Sequence, residues 1–145
     1  MARKIGAFFA GLLVLGAVVM TLQQLASMIY PLPEGVNPMN VEDADAFATH
    51  LESMPTAAWA LAFISEILGA FAGAVTAGRI APASARGLGG GIVGLALVGS
   101  AMNWAAFAHP IWFIVGQLVL YPVALVGAWA LATDGKPAAD GNAAA

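Results

Sequence analysis

Long, unbroken apolar runs alternate along this chain with short polar segments, and that alternation sets the architecture. Four runs stand out, at about residues 5–30, 56–78, 88–107 and 111–133. Each is close to or above the ~20 residues that a helix rising ~1.5 Å per residue needs to cross a bilayer core about 30 Å thick. A backbone in hydrocarbon must satisfy its own hydrogen bonds, so the pattern predicts an all-α fold, an integral membrane four-helix bundle. The first run follows a short basic start, Met1–Lys4, as the core of a signal peptide would. It is longer than the roughly 7–15 residues of such a core, and Leu25-Ala26-Ser27 fits a cleavage site poorly, so an uncleaved helix is expected.

Pro31 and Pro33 end the first span at Tyr30, because proline lacks an amide donor and disfavours helix in the residue before it. The 31–55 segment is then a loop with a short amphipathic helix inside it. Asn40 is placed to cap that helix with Asp43 three residues on, and Val41, Ala44, Phe47, Ala48, Leu51 and Met54 share one face, expected to lie over the bundle. Residues 1–133 are expected to form a single transmembrane domain. The alanine-, glycine- and aspartate-rich residues 134–145 are expected to be a disordered cytoplasmic tail.

Composition narrows the chemistry. The chain is 61% hydrophobic and 9% charged, where soluble domains carry about 25% charged residues. The absence of cysteine excludes disulfides, thiolate metal sites and a cysteine nucleophile. There is no nucleophile–base pair, zinc signature or nucleotide motif, so neither enzymatic activity nor a cofactor or metal is expected. The glycine run Gly87-Leu88-Gly89-Gly90-Gly91 lacks the lysine and hydroxyl residue of a phosphate loop. His50 and His109 have no second ligand at metal spacing and are read as interfacial hydrogen-bonding groups. No basic face suited to nucleic acid is present.

Charge then gives direction. The net charge is -3, but the two signs are segregated. Glu34, Glu42, Asp43, Asp45 and Glu52 sit in the 31–55 loop, whereas Arg3, Lys4, Arg79, Arg86 and Lys136 all fall on the other side of a chain with an even number of spans. Basic residues favour the cytoplasm, which places both termini inside and the acidic loop outside. Trp59, Trp104 and Trp112, with Tyr30 and the His109 turn, then fall at the outer interface, where amphipathic rings concentrate.

One ionisable residue interrupts the spans. Glu66 lies near the middle of Thr56–Gly78, where an acidic residue costs about 3 kcal/mol to insert and so faces the bundle interior. It shares a helical face with Ala62, Gly69 and Gly73. Thr21, Gln24 and Ser27 on the first span, Ser100 and Asn103 on the third, and Gln117 and Tyr121 on the fourth are the polar groups expected around it. Pro122 is expected to kink the fourth span below Tyr121. Together these residues predict a polar cavity open to the outside and floored by Glu66. Two readings follow. In one, the polar groups are a hydrogen-bond network holding the helices of a structural or accessory membrane protein. In the other, Glu66 binds a cation, a proton or a small solute in a small transporter or channel.

Helices in lipid associate through small residues and polar pairs. Gly69 and Gly73, with Ala77, repeat at four-residue spacing in the second span, and Gly87 and Gly91 with Gly90 and Gly94 do so in the third. The pattern predicts a close hairpin between these two spans. Exposed glycine faces also suggest a homo-oligomer or a membrane protein partner, besides the lipid bilayer itself.

Tyr30-Pro31-Leu32-Pro33-Glu34-Gly35, Ala77-Gly78-Arg79-Ile80, Asn103-Trp104 and His109-Pro110-Ile111-Trp112 together resemble a group of short four-span bacterial inner-membrane proteins of uncharacterised function. The resemblance covers most of the chain between Tyr30 and Pro122 and implies a bacterial inner-membrane location without implying an activity. A second likeness, to the small multidrug resistance transporters, rests on four short spans and one embedded glutamate. There the glutamate lies in the first span and the long acidic loop is missing.

Overall fold

A computed structural model describes residues 1–133, in which all regular structure is helical. The helices are α1 (Ala2–Ile29), α2 (Ala44–Ser53), α3 (Thr56–Ile80), α4 (Ala85–Ala106) and α5 (Ile111–Thr133). Four of them, all but α2, are long and apolar enough to cross a membrane, so the chain is a four-helix membrane bundle. The tail expected at residues 134–145, with Lys136, lies outside the described residues.

The boundaries differ from the sequence reading mainly at the basic end of the bundle. There α1 begins at Ala2, so Arg3 and Lys4 are helical. The Arg3 Nε donates to the Ile80 carbonyl oxygen at 2.7 Å, satisfying one of the carbonyls that the last turn of α3 leaves without an intrahelical partner. A 3-10 turn at Pro82–Ser84 links α3 directly to α4. Helix α5 runs without a break through Pro122.

At the acidic end, Asn40 caps a 3-10 turn, Val41–Asp43, by accepting from the Glu42 N–H at 3.2 Å. The Asp43 carboxylate does not close the expected capping box, because it accepts instead from the Asn37 N–H at 3.0 Å. The docked face of α2 is also narrower than expected. Val41 is 89% exposed and Ala44 is exposed, while Phe47, Ala48, Leu51 and Met54 are half-buried. Phe47 meets Phe107 edge to face at 5.2 Å, which holds α2 against the end of α4.

Helix α3 is the hub. It packs against α1, α4 and α5, whereas α1 and α4 scarcely meet. Its buried positions Gly69, Ala70, Gly73, Ala74, Ala77 and Gly78 have little or no side chain, which lets neighbouring backbones come close.

The expected close hairpin between the second and third spans is corrected by these contacts. The closest approach joins α1 and α3: a methyl group placed on Gly73 would lie 2.6 Å from the Gly11 carbonyl oxygen, and one on Gly69 would lie 3.0 Å from that of Leu15. Gly91 also faces α1, where such a methyl would meet Phe8 at 3.1 Å. Gly87, Gly90 and Gly94 have nothing within 4 Å, so these three glycines are not part of any intramolecular seam. Gly89 faces α5 and α3, at Leu125 and Ala74.

Candidate functional site

Ten residues into α3, at ~1.5 Å each, Glu66 sits about halfway along the helix. It is half-buried and has no basic partner among the described residues. Its carboxylate Oε2 instead gathers neutral donors from two other helices. The Gln117 Nε2 donates at 2.6 Å and the Ser100 hydroxyl at 2.7 Å, and the Tyr121 hydroxyl oxygen lies 3.4 Å away. Ser100, Gln117 and Tyr121 are all buried.

Each of these donors is held by a further group. The indole of Trp104 can only donate, and its Nε1 does so to the Gln117 Oε1 at 3.0 Å. That fixes the Gln117 amide with its NH2 towards Glu66. On the other side, Ser100 and Tyr121 are 2.9 Å apart. The single Ser100 hydroxyl proton goes to Glu66, so Tyr121 donates to Ser100. Two relays, Trp104 to Gln117 and Tyr121 to Ser100, therefore converge on one carboxylate oxygen.

The other oxygen is different. Oε1 accepts no hydrogen bond among the described residues, and Glu66 lines two cavities. The first, about 300 Å³, runs to the acidic end, where Met54 and Leu51 below α2 and the rings of Trp59, His109 and Phe113 form its walls. At ~30 Å³ per water it could hold about ten waters. The second, about 290 Å³, lies between α1 and α4, the two long helices that scarcely touch. Gln23 and Asn103 line both cavities and so, with Glu66, mark where they meet.

The predicted polar residues are thus only partly brought together. Glu66, Ser100, Gln117 and Tyr121 form the network, and Asn103 borders the cavities. Ser27 lines the outer cavity, although its hydroxyl donates to its own helix at the Gln24 carbonyl. Thr21 and Gln24 are exposed and line neither cavity. At about 100° per residue, Thr21 is on the side of α1 opposite Val19 and Gln23. Gln23, not singled out by the sequence, replaces them. The signal was the register of α1 on α3, since Val19 packs on Gly69 and Gln23 follows one turn later, towards Glu66.

Trp104 is also more than an interface ring, because its N–H is the outer link of one relay. Trp59, Trp112 and His109 do cluster at the acidic end with Phe63 and Phe113. Trp59 and His109 are 5.0 Å apart, and Phe63 and Trp112 5.8 Å. The His109 Nδ1 lies 2.7 Å from the Phe107 carbonyl oxygen. His50 departs from expectation, since its Nε2 is shielded from solvent without a hydrogen-bond partner. No group of three His, Cys, Asp or Glu side chains able to hold a metal forms among the described residues.

No protein family, no curated protein and no solved structure matches the chain. Functional argument therefore rests on the geometry of this site alone.

Proposed function

We propose that this chain is a non-enzymatic membrane protein that binds a proton, a cation or a small polar solute at Glu66, as a small transporter or channel would. One observation carries the reading: Oε2 is saturated by two fixed donor relays, while Oε1 accepts no hydrogen bond among the described residues and Glu66 lines two cavities. A network serving only to hold helices would be expected to use both oxygens, because an unsatisfied carboxylate oxygen at this depth is costly. Here the protein orients one oxygen and leaves the other for a ligand. The accessory reading, in which the network only holds the bundle, is supported by Oε2 alone. The segregated charges support an acidic end outside and a basic end in the cytoplasm. The resemblance of the Tyr30–Pro122 region supports a bacterial inner membrane.

Infrared titration tests the reading on wild type and Glu66→Gln reconstituted in vesicles. The expected outcome is a carboxyl band that changes with pH or with added monovalent cation in wild type and is missing from Glu66→Gln, with helix content equal in both. Identical difference spectra for the two proteins would overturn the reading.

A further inference from the structure

At the opposite end of the bundle, far from Glu66, the geometry points to a second site, a binding site for the headgroup of an anionic phospholipid, centred on Arg86. Arg86 lies in the first turn of α4 and Trp129 in the last turn of α5, so both are at the level where a spanning helix meets lipid headgroups. The guanidinium carbon lies over the Trp129 ring, 3.7 Å from its centroid. Stacking uses the π face of the guanidinium and leaves its in-plane N–H fork free, and Arg86 makes no hydrogen bond among the described residues. A phosphate diester is the group that such a fork matches, two N–H bonds to two oxygens.

The surroundings extend the match beyond the phosphate. A groove of about 280 Å³ runs from Arg86 along α5, lined by Leu125, Val126 and Trp129. Its walls below the guanidinium are apolar, as an acyl chain attached to that phosphate requires. Arg3, Lys4 and Arg79 share this end of the bundle, and no acidic side chain does among the described residues. Charge complementarity therefore selects an anionic lipid over a zwitterionic one, and Arg86 is the basic residue that the groove places against a bound headgroup. A glycine-poor, purely apolar groove would accept any lipid tail. The stacked arginine is what makes it selective.

Native mass spectrometry on the full chain tests the site, after incubation in micelles containing equal phosphatidylglycerol and phosphatidylcholine. Wild type is expected to retain phosphatidylglycerol in preference. Arg86→Gln should lower that preference about fivefold, the equivalent of about 1 kcal/mol, with circular dichroism showing unchanged helix content. Trp129→Leu keeps the charge but frees the guanidinium, and should lower the preference by a smaller factor. Arg79→Gln, an exposed charge at the same end without the groove, and Glu66→Gln in the distant cavity should leave it near the wild-type value. Equal retention of the two lipids by wild type, or the same loss in Arg79→Gln as in Arg86→Gln, would overturn the assignment.

Discussion

The two halves of the bundle solve the same problem by opposite means. In the basic half, α3 meets its neighbours through Gly73, Ala74, Ala77 and Gly78, and backbone lies almost against backbone. Towards the acidic half, the same helix meets its neighbours through Glu66 as well as its aromatic rings, and the helices stand far enough apart to leave two open clefts of about 300 and 290 Å³ beside that residue. Close dispersion contacts hold the first half, whereas the second adds directed hydrogen bonds to the packing of Trp59 and Phe63 on Phe113. The difference teaches that rigidity here is local: a close-packed base leaves the upper half free to keep open space around a carboxyl group.

That comparison can be broken most forcefully at Gly73. A leucine there would drive its side chain into the Gly11 carbonyl and Leu15, where nothing flexible can move aside. Overpacking of this kind costs about 2–3 kcal/mol, read as a lowered thermal midpoint in detergent. A loss no larger than that of a surface substitution would show that the α1–α3 seam is not what holds the base.

A smaller effect on stability is expected at Gln117. Replacing it with leucine removes the donor to Glu66 and the acceptor of the Trp104 N–H together. Hydrogen bonds between membrane helices are worth about 1 kcal/mol each, so thermal stability should fall by about 1–2 kcal/mol while the Trp104 indole signal in ultraviolet resonance Raman shifts to that of a weaker hydrogen bond. An unshifted indole signal would mean that Trp104 is not the outer link of the relay.

The smallest effect should come from Gly90→Leu, although its glycine repeat looks the same in sequence as that of Gly69 and Gly73. Nothing lies within 4 Å of it, so the change should stay within about 0.5 kcal/mol in the monomer. A loss comparable to that at Gly73, appearing with a change in mass by light scattering, would show that the glycine face of α4 is buried against a second protein.

These contrasts also explain what could be read from the chain alone. The four spans and the acidic loop were legible because apolar run length and proline placement are local properties. Ser100, Gln117 and Tyr121 were legible as partners of Glu66, because polar residues at matching depth in a bundle have few other places to go. The face of α1 was not. That helix is apolar almost all round, so its own sequence carries no preferred side; its rotation is set by the groove that Gly69 and Gly73 open on α3. Thr21 and Gln24 were therefore expected at the site in place of Gln23. The two glycine repeats were indistinguishable for the same reason, since a missing side chain says that a backbone can approach and not whether one does.

The origin of the four groups around Glu66 has a consequence for how the protein is made. Ser100, Trp104, Gln117 and Tyr121 all belong to α4 and α5, which follow α1 and α3 in the chain, whereas the glycine seam between α1 and α3 can close as soon as those two spans are in the membrane. A nascent chain halfway through synthesis thus has a finished base and a lone carboxyl in hydrocarbon with no donor beside it. Only the arrival of α5 supplies Gln117 and Tyr121. A chain lacking α4 and α5 would carry its defect where the bilayer tolerates it least, which makes the acid a marker, legible to the membrane itself, of whether those two helices have arrived.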